Sequence, residues 1–598
     1  APGNQRPTIL NTANGLPQVN IQTPSAAGVS RNQYSQFDVD GRGVVINNSR
    51  TNTNTQLGGM VQGNPWLAQG SARIIVNEVN SSNPSYLNGY IEVAGQRAEI
   101  IIANPSGISV NGGGFINASS ATLTTGSPII NGGNLEGYAV QKGTVTIDGY
   151  GLDASLTDYT GILARSVQVN AGIWANNLNI VTGANQISAD QSSSSPIAGV
   201  GGAPSFSLDV SNLGGMYAGK ISLVGTEAGL GVRNAGYVGA SAGDVSITSD
   251  GMLINSGIIN SGANTNIATK GSVNNSGSIN ATGDANIDSQ AEMVNTGSVL
   301  AAGNINIQTP GAINNSGYVY ASGNTSLKAG GDIHNSGLVA AQGNTSVTTT
   351  AANGSINNTN TSVLTAGMTP DGKLLTTGNL SLDADGLVTA KGLMIAGNQL
   401  SISSSSLDVS GTSLSAGALA LTAKRGDLDA TGASLSVLGD MDLNAAQSLK
   451  TDSAILTAGN VSLSANTWSH IKGQVLQAGT ADTPIAVTGK IDNTEGVIAS
   501  NGLNMNINAG AIDNRKGSVL HAGYGALDIT SGPLKLTDGQ IASNGNLNLS
   551  VSNIDGEKGI LLSKNDMHVI AGEVFLSGGQ MSSGKSLHIN ALSINSDN

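Results

Sequence analysis

Apolar residues occur along this chain in runs of four to six, rich in Ile and Val and separated by Asn, Gly, Ser and Thr. Such runs are too short for helices and suit β-branched strands. From about Asp244 they fall into columns twenty residues apart. Ile259, Ile279, Val299, Val319 and Val339 form one column, and Ile267, Ile287, Ile307, Leu327 and Val347 a second. Val273, Met293, Ile313 and Ile333 form a third, and the small residues Ala281, Ala301, Ala321 and Ala341 a fourth. Self-similarity at a fixed period is the mark of a solenoid. The unit is shorter than that of helical solenoids and lacks a Leu-x-x-Leu-x-Leu signature, so the pattern predicts an all-β parallel β-helix with three short strands per coil. The usual crossover chirality favours the right-handed form.

Asn255, Asn275, Asn295, Asn315 and Asn335 share this period, and each is followed by Ser-Gly or Thr-Gly. Stacked in register, their side-chain amides would bond along the axis as a structural ladder. The glycine two positions later would supply a positive φ at each corner.

Composition sharpens this picture. Glycine is 83 of 598 residues, about twice the usual share. Charged residues are only 11% and aromatics 3%, yet the aliphatic columns persist, which separates the chain from disorder. A solenoid also overrides the several globular domains that the length would suggest, because each coil touches only its neighbours. Twenty-residue coils rising ~4.8 Å each would form a single rod on the order of 130 Å. There is no cysteine, hence no thiol chemistry, no Cys-based zinc site and no disulfide. The net charge of −13 comes without a basic run, which argues against nucleic acid as a partner. No apolar stretch approaches the length of a membrane-spanning helix. The start Ala-Pro-Gly-Asn reads as a mature N-terminus after signal-peptide removal, and the end Ser-Asp-Asn598 as a break in mid-rhythm, so a fragment of a longer protein is expected.

The first 240 residues differ in character. Ten of the 14 prolines lie at or before Pro204, and most aromatics at or before Tyr237. Strand-like runs are expected at 72–79, 89–93, 99–103 and 145–147, and the Ser/Gly/Pro-rich stretch 191–204 reads as an excursion loop. Tyr34, Phe37 and the run Val44-Val45-Ile46 suggest an N-terminal cap, since an open coil would offer unpaired strand edges. Segments 351–373 and 480–484 read as insertions, and the last hundred residues keep the rhythm less strictly. The division expected is 1–243 as one domain, with its core at about 20–185, and 244–598 as repeats.

The N-terminal part resembles the secretion domain of two-partner-secretion exoproteins, the family of filamentous haemagglutinins and contact-dependent growth inhibition toxins. The resemblance rests on Gly28-Val-Ser-Arg-Asn-Gln-Tyr-Ser-Gln-Phe37, Gly43-Val-Val-Ile-Asn-Asn-Ser49, Gly63-Asn-Pro-Trp-Leu67 and Ile101-Ile-Ala-Asn-Pro-Ser-Gly-Ile-Ser-Val110, with further collinear matches to about residue 185. Gly63–Leu67 aligns with the family's Asn-Pro-Asn-Leu motif, and Asn104–Ile108 with its Asn-Pro-Asn-Gly-Ile motif. Trp66 and Ser106 each replace an Asn. The repeats resemble the haemagglutinin repeats of the same stalks. The resemblance implies a large secreted, cell-surface exoprotein, exported through the periplasm and through an Omp85-type outer-membrane transporter (TpsB) with periplasmic POTRA domains. It implies a stalk for adhesion or toxin delivery that meets a host or target-cell receptor beyond this stretch. Asn64, Pro65, Asn104, Pro105, Gly107 and Ile108 become the candidate secretion motifs, acting by contact with the transporter or by nucleating the cap. An autotransporter passenger and a β-helix polysaccharide lyase or hydrolase are the alternatives.

Other candidate chemistry is sparse. Arg425-Gly426-Asp427 is a cell-adhesion tripeptide at an expected coil corner. Asp383/Asp385, Asp427/Asp429 and Asp440/Asp442 each share one strand face, but glycoside cleavage needs two carboxylates set across a cleft. They read as solubilising charges, and no enzyme activity is expected. His334, His470, His521, His568 and His588 are scattered, so no metal site and no cofactor are expected. Trp468, beside His470, reads as a surface patch or loop anchor.

Overall fold

The computed structural model describes residues 5–595, so the two chain ends discussed above lie outside the described residues. The chain divides into two compact units, Ala1–Gln308 and Thr309–Asn598. Each is a parallel β-helix.

In the first unit every regular coil contributes three strands, and each strand pairs in parallel with its equivalent one coil on. Asn177–Thr182, Lys220–Gly225, Val245–Ser249, Thr265–Thr269 and Ala285–Ser289 stack on one face. Val232–Asn234, Leu253–Asn255, Val273–Asn275 and Met293–Asn295 stack on the second, and Tyr237–Ala240, Ile258–Ser261, Ser278–Ala281 and Ser298–Ala301 on the third. The predicted columns point inward: Ile259, Ile279 and Val299 are fully buried, as are Val273 and Met293. The strands anticipated in the irregular region are present at Ile74–Val79, Tyr90–Gly95, Ala98–Ala103 and Thr144–Ile147.

The cap differs from its expected form. Tyr34 and Phe37 meet edge to face at 5.0 Å and are buried with Val44–Ile46, but they belong to the first coils themselves. The edge ahead of them is closed by an antiparallel pair, Thr8–Asn11 with Pro17–Asn20, whose second strand then pairs in parallel with Val44–Asn48. An antiparallel return is what ends a parallel stack without a free edge.

Two further elements lie outside the coils. A hairpin, Thr53–Thr55 with Gly59–Val61, is held by buried Glu92, whose carboxylate accepts the backbone N–H groups of Gln56 and Leu57 at 2.7 Å each. A four-stranded antiparallel sheet comprises Ser127–Asn131, Asn134–Val140, Asn185–Ser188 and Ser194–Pro196. The expected excursion loop 191–204 therefore supplies this sheet's last strand. The sheet packs Tyr138, Val140 and Ile187 onto Ile101, Ala103, Leu163 and Val181, which face out of the coils. Burial on both faces explains why 100–103 is an unbroken apolar run rather than an alternating one.

The second unit begins with the same three-strand coil. Two short loops, 350–355 and 367–379, replace the single insertion expected at 351–373, because Ile356–Asn358 and Val363–Ala366 within that range are coil strands. From Asp440 onward two of the three strands fuse into one bent strand of nine to eleven residues, as in Asp440–Lys450 and Thr483–Asp492. Stacking stays strict: Leu463 faces Ile485, then come Ile507, Ile529, Leu549, Val569 and Ile589 in register. The rhythm looked loose because the Asn-Ser-Gly corner is replaced there by a different one. In the new corner one residue per coil takes a left-handed conformation: Ser453, Lys472, Glu495, Lys516, Asp538 and Lys558, all at φ of 53–57°. Each donates its N–H to the corner of the next coil, as Glu495 does to Arg515 and Lys516 to Thr537. From Lys472 to Lys558 the charges along this column alternate in sign.

Candidate secretion site

Asn64 and Asn104 are built alike. Asn64 precedes the 3-10 turn Pro65–Leu67 with an extended backbone, and its Oδ1 accepts the N–H of Trp66 at 3.0 Å. Proline at the first turn position is pre-set for this geometry and has no N–H to satisfy. The amide nitrogen then donates to the carbonyls of Ile21 and Asn47 at 2.9 and 3.1 Å. Asn104 Oδ1 accepts the N–H of Ser106 at 2.9 Å, and its Nδ2 donates to the carbonyl of Asn83 and the hydroxyl of Ser85. Gly107 follows at φ +113°, which a side chain would resist, and Ile108 is buried at the start of a strand paired on both sides. Asn64 keeps 3% of its surface and Asn104 none, so both amides face into the protein.

The two departures from the family motif are absorbed without loss. Ser106 Oγ donates to the carbonyl of Ser81, while Trp66 lies half-exposed with its indole N–H on Thr8 of the cap hairpin. The two motifs are not brought together; each closes its own corner. An asparagine network supports the first: Asn47 Nδ2 donates to Asn20 Oδ1 at 2.8 Å, and Asn48 joins the backbone of Ala72 and Gln96. Sequence reasoning used Asn47 and Asn48 only within the family resemblance and gave them no contact, although an Asn-Asn pair ending an apolar strand was the available signal.

The asparagine ladder is present and buried. Nδ2–Oδ1 bonds of 2.7–2.8 Å join Asn255 to Asn275, Asn275 to Asn295 and Asn315 to Asn335. It also includes Asn234 and Asn358, whose intervals of 21 and 23 residues hid them from a strict period of twenty. The glycines beside it serve a different purpose from the one expected. Gly257, Gly277 and Gly297 lack a positive φ; a Cβ on Gly277 would run into the carbonyl oxygen of Gly257 in the coil below. Close stacking, not backbone handedness, requires them. A second ladder runs at the Gly-Asn and Gly-Asp marks, where the N–H of Asp284 bonds Asn264 Oδ1 and that of Asn304 bonds Asp284 Oδ1.

The remaining candidates are engaged structurally. Arg425 pairs with Asp385 at 2.8 Å and Asp427 accepts the N–H of Ser448, so both charged ends of the tripeptide are held by neighbouring coils. Asp383 pairs with Lys424, Asp440 accepts from Asn460 and Asp429 caps Thr431. Trp468 corrects the surface reading: it is fully buried, with its ring 4.9 Å from His470 and its N–H on Thr451 Oγ1 at 2.8 Å. Thr451 also meets His470 Nδ1 at 2.7 Å, and His470 Nε2 meets the carbonyl of Val497 at 3.2 Å. Desolvation drives the imidazole pKa down to about 4. No group of three or more metal-ligating side chains occurs among the described residues, and none of the described helices is long and apolar enough to cross a membrane.

Residues 1–255 match the model of the TPS secretion domain, and 240–598 match the haemagglutinin repeat in six overlapping copies. The chain belongs to the two-partner-secretion exoproteins. It is accordingly an exported protein displayed at the cell surface, of a class that leaves through a cognate transporter. Among relatives of this exoprotein, a protein named toxin CdiA from Yersinia pestis is 44% identical over 565 residues, 93% of this chain and 16% of that one. A tRNA nuclease CdiA-2 from Burkholderia pseudomallei is 48% identical over 263 residues, 44% of this chain and 8% of that one. The exoprotein thus spans a small part of the length of the curated relatives it matches. A crystal structure of a filamentous haemagglutinin secretion domain aligns with 53% of this chain and 94% of its own, at 32% identity and a TM-score of 0.40.

Proposed function

We propose that residues 1–243 direct export through a TpsB transporter with periplasmic POTRA domains and then start the β-helix, while 244–598 form part of a stalk. The whole protein would serve adhesion or contact-dependent toxin delivery, with receptor contact and any catalysis lying elsewhere than in this chain. Within this reading, the Asn-Pro motifs act by folding the cap and not by touching the transporter. The observation that carries this is the burial of the Asn64 and Asn104 amides, whose N–H groups and Oδ1 atoms are all engaged within the protein's own first coils. A chain threaded unfolded needs a nucleus on the far side, and coils then add one upon another.

The test is the double variant Asn64→Ala, Asn104→Ala. Each substitution orphans a turn N–H and buried acceptors, costing about 2–4 kcal/mol per site. The expected result is a several-fold fall in extracellular exoprotein, with slower refolding of the purified domain and retained binding to purified POTRA domains. Normal secretion would remove the motifs from the pathway. Normal refolding with lost POTRA binding would show that they contact the transporter directly.

A further inference from the structure

Three aromatic rings from consecutive coils of the first unit stand on one another: Trp174, Tyr217 and Tyr237. Their centroids are 6.1 and 5.1 Å apart and their planes within 11° and 20° of parallel. Backbone register sets Trp174 opposite Tyr217, but it sets Tyr217 opposite Gly239 and Tyr237 opposite Gly215. The second stack therefore forms only because both tyrosine rings lean along their strands. Glycine makes this possible: a Cβ on Gly172, Gly215 or Gly239 would run into the ring of Trp174, Tyr217 or Tyr237 respectively. Glycine inside a strand weakens it, so the stack is maintained against a local cost. Trp174 and Tyr217 nevertheless leave 43% of their surface in solvent.

Beside the rings lies an open groove of about 550 Å³, floored by Ala175, Ala218 and Ala240. Its rim carries amides and hydroxyls, and no charged side chain lines it in a chain of net charge −13. Asn176 uses its amide N–H groups on the carbonyls of Ser155 and Thr157, which leaves its Oδ1 as a fixed acceptor. The amide of Asn260, the hydroxyl of Ser241 and the phenols of Tyr217 and Tyr237 have no hydrogen-bond partner among the described residues.

The groove thus offers an apolar aromatic wall, a smooth floor and a neutral rim of donors and acceptors. A polyanion or a nucleic acid strand would find no counter-charge here. An extended peptide would find no free backbone edge, because these strands are paired on both sides. A pyranose chain has the complementary pattern, with C–H faces for the rings and neutral hydroxyls for the rim. We propose that this groove of the secretion domain binds a neutral oligosaccharide.

The test titrates the intact chain by calorimetry with neutral hexose oligomers (cello- and maltohexaose), an N-acetylhexosamine oligomer (chitohexaose) and, as the charged arm, a heparin hexasaccharide. Binding is expected to at least one neutral oligomer and not to the heparin fragment. Trp174→Ala should weaken it at least tenfold. Asn260→Ala, which leaves the stack intact, should weaken it severalfold, while Tyr524→Ala, at an exposed ring of the second unit, should leave it unchanged. Absence of binding to every neutral oligomer would overturn the proposal. So would preference for heparin, or binding that Trp174→Ala and Asn260→Ala leave intact. Loss of POTRA binding in Trp174→Ala, without sugar binding by the parent, would reassign the patch to a protein partner.

Discussion

Acid should open the second unit at one identifiable coil. His470 is buried in its neutral form, with Thr451 on one ring nitrogen and the Val497 carbonyl on the other, and burial holds its pKa near 4 against an ordinary 6.5. A folded pKa below the unfolded one means that the unfolded coil takes up the proton first. The contribution of His470 to stability is therefore intact above pH 6.5 and is lost as pH falls through the window from 6.5 to about 4. The loss is about 2 kcal/mol at pH 5 and saturates near 3 kcal/mol below pH 4, at 1.36 kcal/mol per pKa unit. The charge of Asp452 favours protonation of the ring but does not offset burial. Because repeats open locally, the effect belongs to neighbouring coils and not to the whole chain. Trp468, fully buried against His470, reports it directly once Trp66 and Trp174 are replaced by Phe. Its fluorescence should shift red, and hydrogen exchange across 451–500 should accelerate, between pH 6 and 4, while 250–300 stays protected. His470→Gln cannot be charged, so it should flatten that pH dependence even if the coil is weaker throughout. An unchanged acid transition in His470→Gln, or a transition spread evenly over both regions, would refute the reasoning.

Two further outcomes follow from the corners. Gly277→Ala should destabilise its coil by 2 kcal/mol or more, because the new methyl meets the Gly257 carbonyl; Gly411→Ala, at φ +69° with open space around it, should cost only about 1–2 kcal/mol for its left-handed backbone. Equal losses in chemical denaturation of the two variants would contradict the separation of close stacking from handedness. Lys516→Gly, at φ 54°, relieves the same backbone cost in reverse and should slow local hydrogen exchange around its corner by the equivalent of about 0.5–1 kcal/mol, and unchanged or faster exchange there would contradict it.

The repeat was legible wherever identical residues had to stack. Val273 and Met293, or Ile267 and Ile287, occupy the same depth in consecutive coils, and a one-residue slip would turn them outward. What did not repeat could not be read this way. The cap hairpin at Thr8–Asn20 pairs antiparallel and only once, and the outer sheet draws its strands from segments some fifty residues apart. The corner glycines were recognised by position but assigned the wrong cause, since sequence shows where glycine recurs and not which atom would strike a Cβ. Trp468 was misread because a lone aromatic among aliphatic columns carries no period; its burial rests on Thr451, contributed by the coil before. At the candidate secretion motifs, the Asn-Pro turns were evident, but the inward direction of their amides was not.

The column of left-handed corners in the second unit runs Lys472, Glu495, Lys516, Asp538, Lys558, with Lys472 and Glu495 at 3.7 Å. Positive and negative follow each other coil by coil, which gives the stack a parity. Removing or duplicating two coils leaves every charge between opposite neighbours, whereas removing or duplicating one sets like against like at the seam. Length change in this part of the repeat region is therefore easier in steps of two coils, and a chain that skipped a single coil while folding would meet repulsion at this corner.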